Sequence, residues 1–224
     1  MGKKTVVLIG ATGLVGSHLL QLAKNDPDIG LIKVLSRRPI TYTNPKIQLE
    51  IIDFSDHDAF KSVIRGSDVV FCSVGTTNKK VGGDKEEYRK VDYDITVNAA
   101  KFCAEAGCSH FAFVSALGAN SQSNNFYLQL KGQIEDEVSQ MKIDTISIFR
   151  PSFLLGNRKE FRLGEHIGIL LMKPISFLLP SRMKPIEARA VAKSMLAATK
   201  TGRKGVGIFH FKEMQELSDE HDPS

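Results

Sequence analysis

An apolar run, Thr5–Ile9, passes directly into Gly10-Ala-Thr-Gly-Leu-Val-Gly16 and then into the helix-forming stretch Ser17–Lys24. Three glycines at that spacing between a strand and a helix admit few structures. Gly10 permits a tight turn, Gly13 lets the backbone approach a phosphate-bearing ligand, and Gly16 lets helix and strand pack at short range. The helix start then presents free N–H groups and a positive dipole end to an anion. Glycine turns also cap ordinary strands. It is the strand, turn and helix context that points to a dinucleotide site.

The rest of the chain repeats the alternation that such a site requires. Strand-like runs occupy 5–10, 31–36, 47–53, 68–73, 109–115, 144–149 and 206–210, and helical stretches lie near 13–24, 56–65, 84–106, 123–140 and 186–199. Strands separated by helices of this length predict βαβ units and a parallel sheet covered on both faces. The expected fold is α/β, a Rossmann-like doubly wound parallel sheet with a small C-terminal substrate lid. At 224 residues and 42% hydrophobic, the chain suffices for one large core and not for two full domains. One domain over 1–212 is expected, with the lid at about 152–185 and an acidic, mobile tail over 213–224.

Charge and cysteine content narrow the function classes. The net charge of +5 is uneven: residues 213–224 carry five acids and no Lys or Arg. The basic residues of the remaining body are dispersed, without interleaved aromatics, which disfavours nucleic acid as a partner. Cys72, Cys103 and Cys108 form no CxxC pair, and the six histidines are scattered. A disulfide framework, a metal site and a thiol-acylating enzyme are therefore not expected. Met1–Lys4 runs straight into the first strand, so no targeting peptide is expected and the predicted location is cytoplasmic. Ile167–Pro180 is apolar but broken by Lys173-Pro174. It is too short to span a membrane and is read as a hydrophobic wall of the lid.

In a doubly wound sheet the ligand lies at the carboxyl ends of the strands. The second run ends in Ser36-Arg37-Arg38, where an NAD site usually carries an acid. Arginine there suits the 2′-phosphate of NADP, and a charge-assisted bond worth about 1.5–3 kcal/mol corresponds to roughly 10-fold to 150-fold preference. The third run ends in Asp53-Phe54, which would face adenine. Asp53 or Ser55 could equally cap the next helix. The fourth run ends in Cys72-Ser-Val-Gly-Thr-Thr77, where Val74-Gly75 would pass the ribose and Cys72 reads as a buried, inert thiol.

Ser115 ends the fifth run, and Tyr127 and Lys131 follow at i and i+4. On one helix face the ammonium favours the ionised phenol, whose unperturbed pKa is about 10, and so makes Tyr127 a usable general acid. Ser115 would then hydrogen-bond the same carbonyl oxygen, and Lys131 would also hold the nicotinamide ribose.

These residues resemble the short-chain dehydrogenase/reductases, and within them an atypical branch similar to the mammalian Tat-interacting-protein-like reductases. The resemblance runs through GATGLVG, SRR at 36–38, FCSVGTT at 71–77, VDYD at 91–94, SHFAFVSALGA at 109–119, NNFYLQLKG at 124–132 and FRPSFLLGNR at 149–158. It implies Thr12, Gly13, Leu14 and Val15 at the pyrophosphate, Arg37 and Arg38 at the adenosine phosphate, and Leu154 and Arg162 on the nicotinamide side. Two positions depart from the pattern: Ala116 replaces a frequent second serine, and Asp92 stands where many extended relatives carry Asn. The implied function is NADPH-dependent reduction of a small or lipophilic carbonyl. The alternative is an NADPH sensor acting through a protein partner, and a homodimer suits either.

Overall fold

The computed structural model describes residues 2–77, 80–156 and 181–220. Seven parallel strands form the central sheet: β1 (Lys4–Ile9), β2 (Ile29–Ser36), β3 (Ile47–Ile51), β4 (Val69–Cys72), β5 (His110–Val114), β6 (Thr145–Phe149) and, after two short strands, β9 (Gly205–Phe209). Their order is β3-β2-β1-β4-β5-β6-β9. The chain reverses direction across the sheet between β1 and β4, so the switch point lies where the glycine turn leaves β1. Each expected strand is present, shortened or shifted by one or two residues at its ends.

Successive side chains of a strand leave opposite faces, and here both faces are apolar. Val7 and Ile9 join Val70, Cys72, Phe111, Phe113, Ile146 and Ile148 in one core. That core is closed by α2 (His57–Ile64), α4 (Ile95–Glu105) and α5 (Phe126–Val138). Val6 and Leu8 join Ile32, Val34, Phe71 and Ala112 in the other, covered by α1 (Leu14–Asn25), α6 (Ala188–Ala198) and α7 (Phe211–Glu220). The helical stretch expected over 84–106 is three pieces: α3 (Lys85–Arg89), a π turn at Lys90–Asp94, and α4. No helix among the described residues is long and apolar enough to cross a membrane.

Two expectations about the C-terminal part are corrected or left open. Residues 213–220 are not a loose tail but most of α7, with Met214 fully buried and Ser218 nearly so. Phe211, Met214 and Leu217 recur on one face and dock on the α6 side of the core, a stripe that the acidic composition conceals. The carboxylate of Glu213 accepts the His210 N–H at 3.0 Å and so caps the helix start. The lid expected over 152–185, with Ile167–Pro180 and Arg162, lies mostly outside the described residues. Its two ends meet as β7 (Leu154–Leu155) and β8 (Ile186–Glu187), a parallel pair that the sequence reading did not foresee.

His110 opens β5, with its Nε2 2.9 Å from Ser147 Oγ on the neighbouring β6 and only 5% of its surface exposed. Burial, aided by Lys4, lowers its pKa to about 4. With the folded value below the unfolded value of about 6.5, the unfolded chain takes up the proton first. Stability is therefore complete above pH 6.5 and falls as pH drops toward 4, by up to about 3 kcal/mol. Urea unfolding at stepped pH should show this slope in the wild type and a flatter one in His110→Gln. Equal slopes would refute the assignment.

Candidate functional site

The turn after β1 is compressed against the end of β4. Gly10 adopts a φ of +89°, and a Cβ there would lie 2.8 Å from the Ser73 carbonyl carbon and the Val74 nitrogen. At Gly16 a Cβ would fall 2.1 Å from the Gly10 oxygen, so no side chain fits between helix and turn. Ser73 ties the two strand ends together, its N–H donating to Ile9 O at 2.9 Å and its hydroxyl reaching the same oxygen at 3.2 Å. Gly13 is the N-cap of α1, with no side-chain cap and no acid in the first turn. The N–H groups of Leu14, Val15 and Gly16 thus begin the helix without side-chain competitors for an anion. Thr12 is exposed beside them, and Leu14 and Leu154 pack on the same core. The Gly156 backbone closes over Leu14, where a Cβ would come within 2.9 Å of its side chain.

The ends of β2, β3 and β4 lie beside this turn. Ser36 Oγ donates to Arg38 O at 2.8 Å, bending the chain so that Arg37 and Arg38 are both exposed. Neither arginine forms an ion pair among the described residues. Asp53 does not cap α2: that role belongs to Asp56, whose carboxylate accepts Ala59 N–H at 3.0 Å. Asp53 instead accepts the Ser55 N–H, a bond that holds its carboxyl below the usual range, and remains exposed. Phe54 packs edge-on against Phe60 at 5.0 Å. Gly75 is exposed, and among the described residues a Cβ there would touch Asp92 Oδ1 alone, at 3.7 Å. Cys72 is buried against Thr96, and burial raises its pKa, as befits an inert thiol.

Helix α5 carries the titratable groups. Asn125 caps it by accepting Leu128 N–H at 3.1 Å. The loop after β5 is pressed onto the helix at Gly132, where a Cβ would lie 2.1 Å from Ser121 N. Tyr127, Lys131 and Glu135 then follow at one-turn intervals. The Lys131 ammonium lies 5.9 Å from the Tyr127 ring centre and 3.0 Å from Asp92 Oδ1. Lys131 is 4% exposed and Asp92 1%. Burial alone would favour loss of the lysine proton, but Asp92 and Tyr127 outweigh it and hold the pKa above the ordinary lysine value. Asp92 is positioned by the π turn, whose extra residue swings it under the end of β4. There its second oxygen accepts Thr76 N–H at 2.7 Å.

Ser115 is placed differently from the expectation. Its hydroxyl donates to Glu135, which is also gripped by Arg150 through Nε at 3.0 Å and 3.1 Å and through Nη2. Ser115 is 3% exposed. A serine has one proton to donate, and here it goes to Glu135. Glu135 and Arg150 were not singled out from the sequence. The available signal was Glu135 lying four residues beyond Lys131 and eight beyond Tyr127, on one helix face.

The uncapped helix start, the glycine-lined turn and the open approach over Gly75 fit a nicotinamide dinucleotide lying across the switch point. Residues 10–166 match a family described as NAD(P)H-binding. The chain is 35% identical to protein HTATIP2 of Rattus norvegicus over 171 residues, 75% of this chain and 70% of the relative. It is 34% identical to the mitochondrial protein FMP52 of Candida albicans over 204 residues, 88% of this chain and 89% of the relative. The structure of MoeE5 in complex with UDP-glucuronic acid and NAD superposes with a TM-score of 0.70 over 97% of this chain and 81% of its own, at 14% identity, a likeness of fold. The cytoplasmic location expected above is overturned, because the FMP52 relatives from several species are named as mitochondrial. Unpaired thiols suit any reducing compartment and do not single out the cytoplasm. With the family matched over most of its length and two relatives above 30% identity, the chain belongs to the NAD(P)H-binding Rossmann-fold proteins related to HTATIP2 and FMP52.

Proposed function

We propose that the protein is an NADPH-dependent oxidoreductase that reduces a small or lipophilic carbonyl, with Tyr127 as general acid. The carrying observation is the buried Lys131 ammonium, fixed by Asp92 and set beneath the Tyr127 ring. The cofactor supplies the hydride. Leu14, Val15 and Gly16 hold its pyrophosphate at the start of α1, Arg37 and Arg38 its 2′-phosphate, Asp53 and Phe54 its adenine end, and Val74 and Gly75 its ribose. Tyr127 donates its phenolic proton to the carbonyl oxygen as that oxygen gains charge, and the nearby ammonium stabilises the phenolate left behind. Ser115 supports this arrangement from below by holding Glu135, and so fixes the rotation of α5. The names of the FMP52 relatives suggest a mitochondrial site of action.

One observation favours a second reading, a cofactor sensor with little turnover. With the Ser115 proton directed to Glu135, Tyr127 would be left without Ser115 as a second donor to the carbonyl oxygen. A sensor needs the dinucleotide and a protein partner, and has no need of Tyr127.

Arg37→Ala should weaken NADPH binding by roughly 10-fold or more, in line with the loss of a charge-assisted bond, while leaving NADH binding nearly unchanged. Calorimetric titration with both dinucleotides measures this, and equal losses would remove the assignment of Arg37. For catalysis, Tyr127→Phe should lower turnover of a carbonyl panel by about 10²-fold to 10⁴-fold with NADPH affinity retained. Undiminished turnover would transfer the acid role elsewhere. Absence of turnover in the wild type, with NADPH still bound, would favour the sensor.

A further inference from the structure

At the end of the strands opposite the dinucleotide site, α4 ends in a hydrogen-bonded cap that brings two cysteines together. The Cys108 N–H donates to the Cys103 carbonyl at 3.0 Å, and the Gly107 N–H donates to the Ala104 carbonyl at 3.2 Å. Gly107 has the φ of +71° that this arrangement needs. These paired bonds define a Schellman motif, in which the third-last helical residue and the second residue beyond the cap are brought into side-chain contact. In most proteins apolar groups fill those two positions. Here they are Cys103 and Cys108, set beside one another by the cap, with the Cys103 thiol donating to the His110 carbonyl oxygen at 3.8 Å.

Both thiols are free. Cys103 is completely covered, and Cys108 is the outer member, 4% exposed. The neighbouring Cys103 thiol draws the pKa of Cys108 below the ordinary thiol value. The Lys33 ammonium acts in the same direction, against burial and the opposing charge of Asp68. Cys72 instead sits against Thr96 in the core.

We propose that Cys103 and Cys108 form a reversible dithiol–disulfide site that is oxidised by hydroperoxides. The Cys108 thiolate attacks the peroxide O–O bond, forming a sulfenic acid and, with one proton, releasing a water or alcohol. The Cys103 sulfur then attacks the Cys108 sulfur, and the sulfenic oxygen leaves as water with the Cys103 proton. The two sulfurs together give up two electrons, and the peroxide is reduced. A small dithiol reverses the bridge by thiol exchange.

The chain itself provides a clean assay. Trypsin leaves Cys103 and Cys108 together on the peptide spanning 102–131, and Cys72 on a separate one spanning 66–79. The folded protein would be treated with hydrogen peroxide, unfolded in an alkylating agent, digested and weighed. The expected result is loss of two of the three alkylable thiols, a 102–131 peptide lighter by two hydrogen atoms, and full recovery after dithiothreitol. Cys72→Ala should preserve the bridge, whereas Cys108→Ala and the milder Cys108→Ser should abolish it. The proposal is overturned if both cysteines of the wild type remain alkylable. It is equally overturned if oxidation stops at sulfinic or sulfonic acid on one of them, with no bridged peptide.

Discussion

The closeness of the β1–α1 turn to the end of β4 sets the geometry on which the rest of the site depends. A Cβ at Gly16 would fall 2.1 Å from the Gly10 oxygen and 2.6 Å from Ser73 Oγ, so the backbone cannot carry side chains at this crossing. The gain is alignment. With helix and strand in direct backbone contact, the open start of α1 is held at the line where the strand order reverses. The strand ends that deliver Arg37, Asp53 and Gly75 then fall around it. A larger residue would force the helix away from the sheet and misdirect the N–H groups that make the turn a phosphate site.

Charge burial along α5 is the second organising element. Lys131 is paired with Asp92 and Glu135 with Arg150, and three of these four side chains are 5% exposed or less. Buried pairs of this kind contribute little net stability, because desolvation offsets much of the attraction. Breaking one partner leaves an uncompensated charge, at a cost of about 3–5 kcal/mol. Their effect is therefore specificity. Asp92 reaches Lys131 from the π turn before α4, and Ser115 and Arg150 reach Glu135 from the ends of β5 and β6. The rotation of α5, and with it the direction of Tyr127, is fixed from three sides.

The fold was legible because both of its signals are local. Strand and helix periods alternate along the chain, and the glycine turn identifies the first crossover. The Tyr127 and Lys131 pair was legible for the same reason, being one turn apart on one helix. The hydrogen bond of Ser115 was not legible, because its partner lies twenty residues away on a helix. A strand-end serine has the same sequence appearance whether its proton points outward or into a buried carboxylate. Asp92 was visible as a departure from a pattern, but its ion pair depends on a π turn that no hydrophobic period reveals. The tail was misjudged by composition: five acids obscured Phe211, Met214 and Leu217, whose spacing carries the docking face of α7.

Helix α4 joins the two chemistries of the molecule, with the Asp92 turn before its first residue and Cys103 in its last turn. Its eleven residues separate them by about 16 Å. The cap already sets the two cysteines side by side through the Cys108 N–H to Cys103 carbonyl bond, so bridging them should leave the helix and the Asp92–Lys131 pair in place. In the chain-entropy view, closing so short a loop restricts the unfolded chain by about 2 kcal/mol. Oxidation would then reinforce the end of α4 and its junction with β5 rather than gate the dinucleotide site. A redox mark of this kind alters resistance to unfolding while cofactor affinity stays constant, which separates it from any sensing performed at the opposite end of the strands.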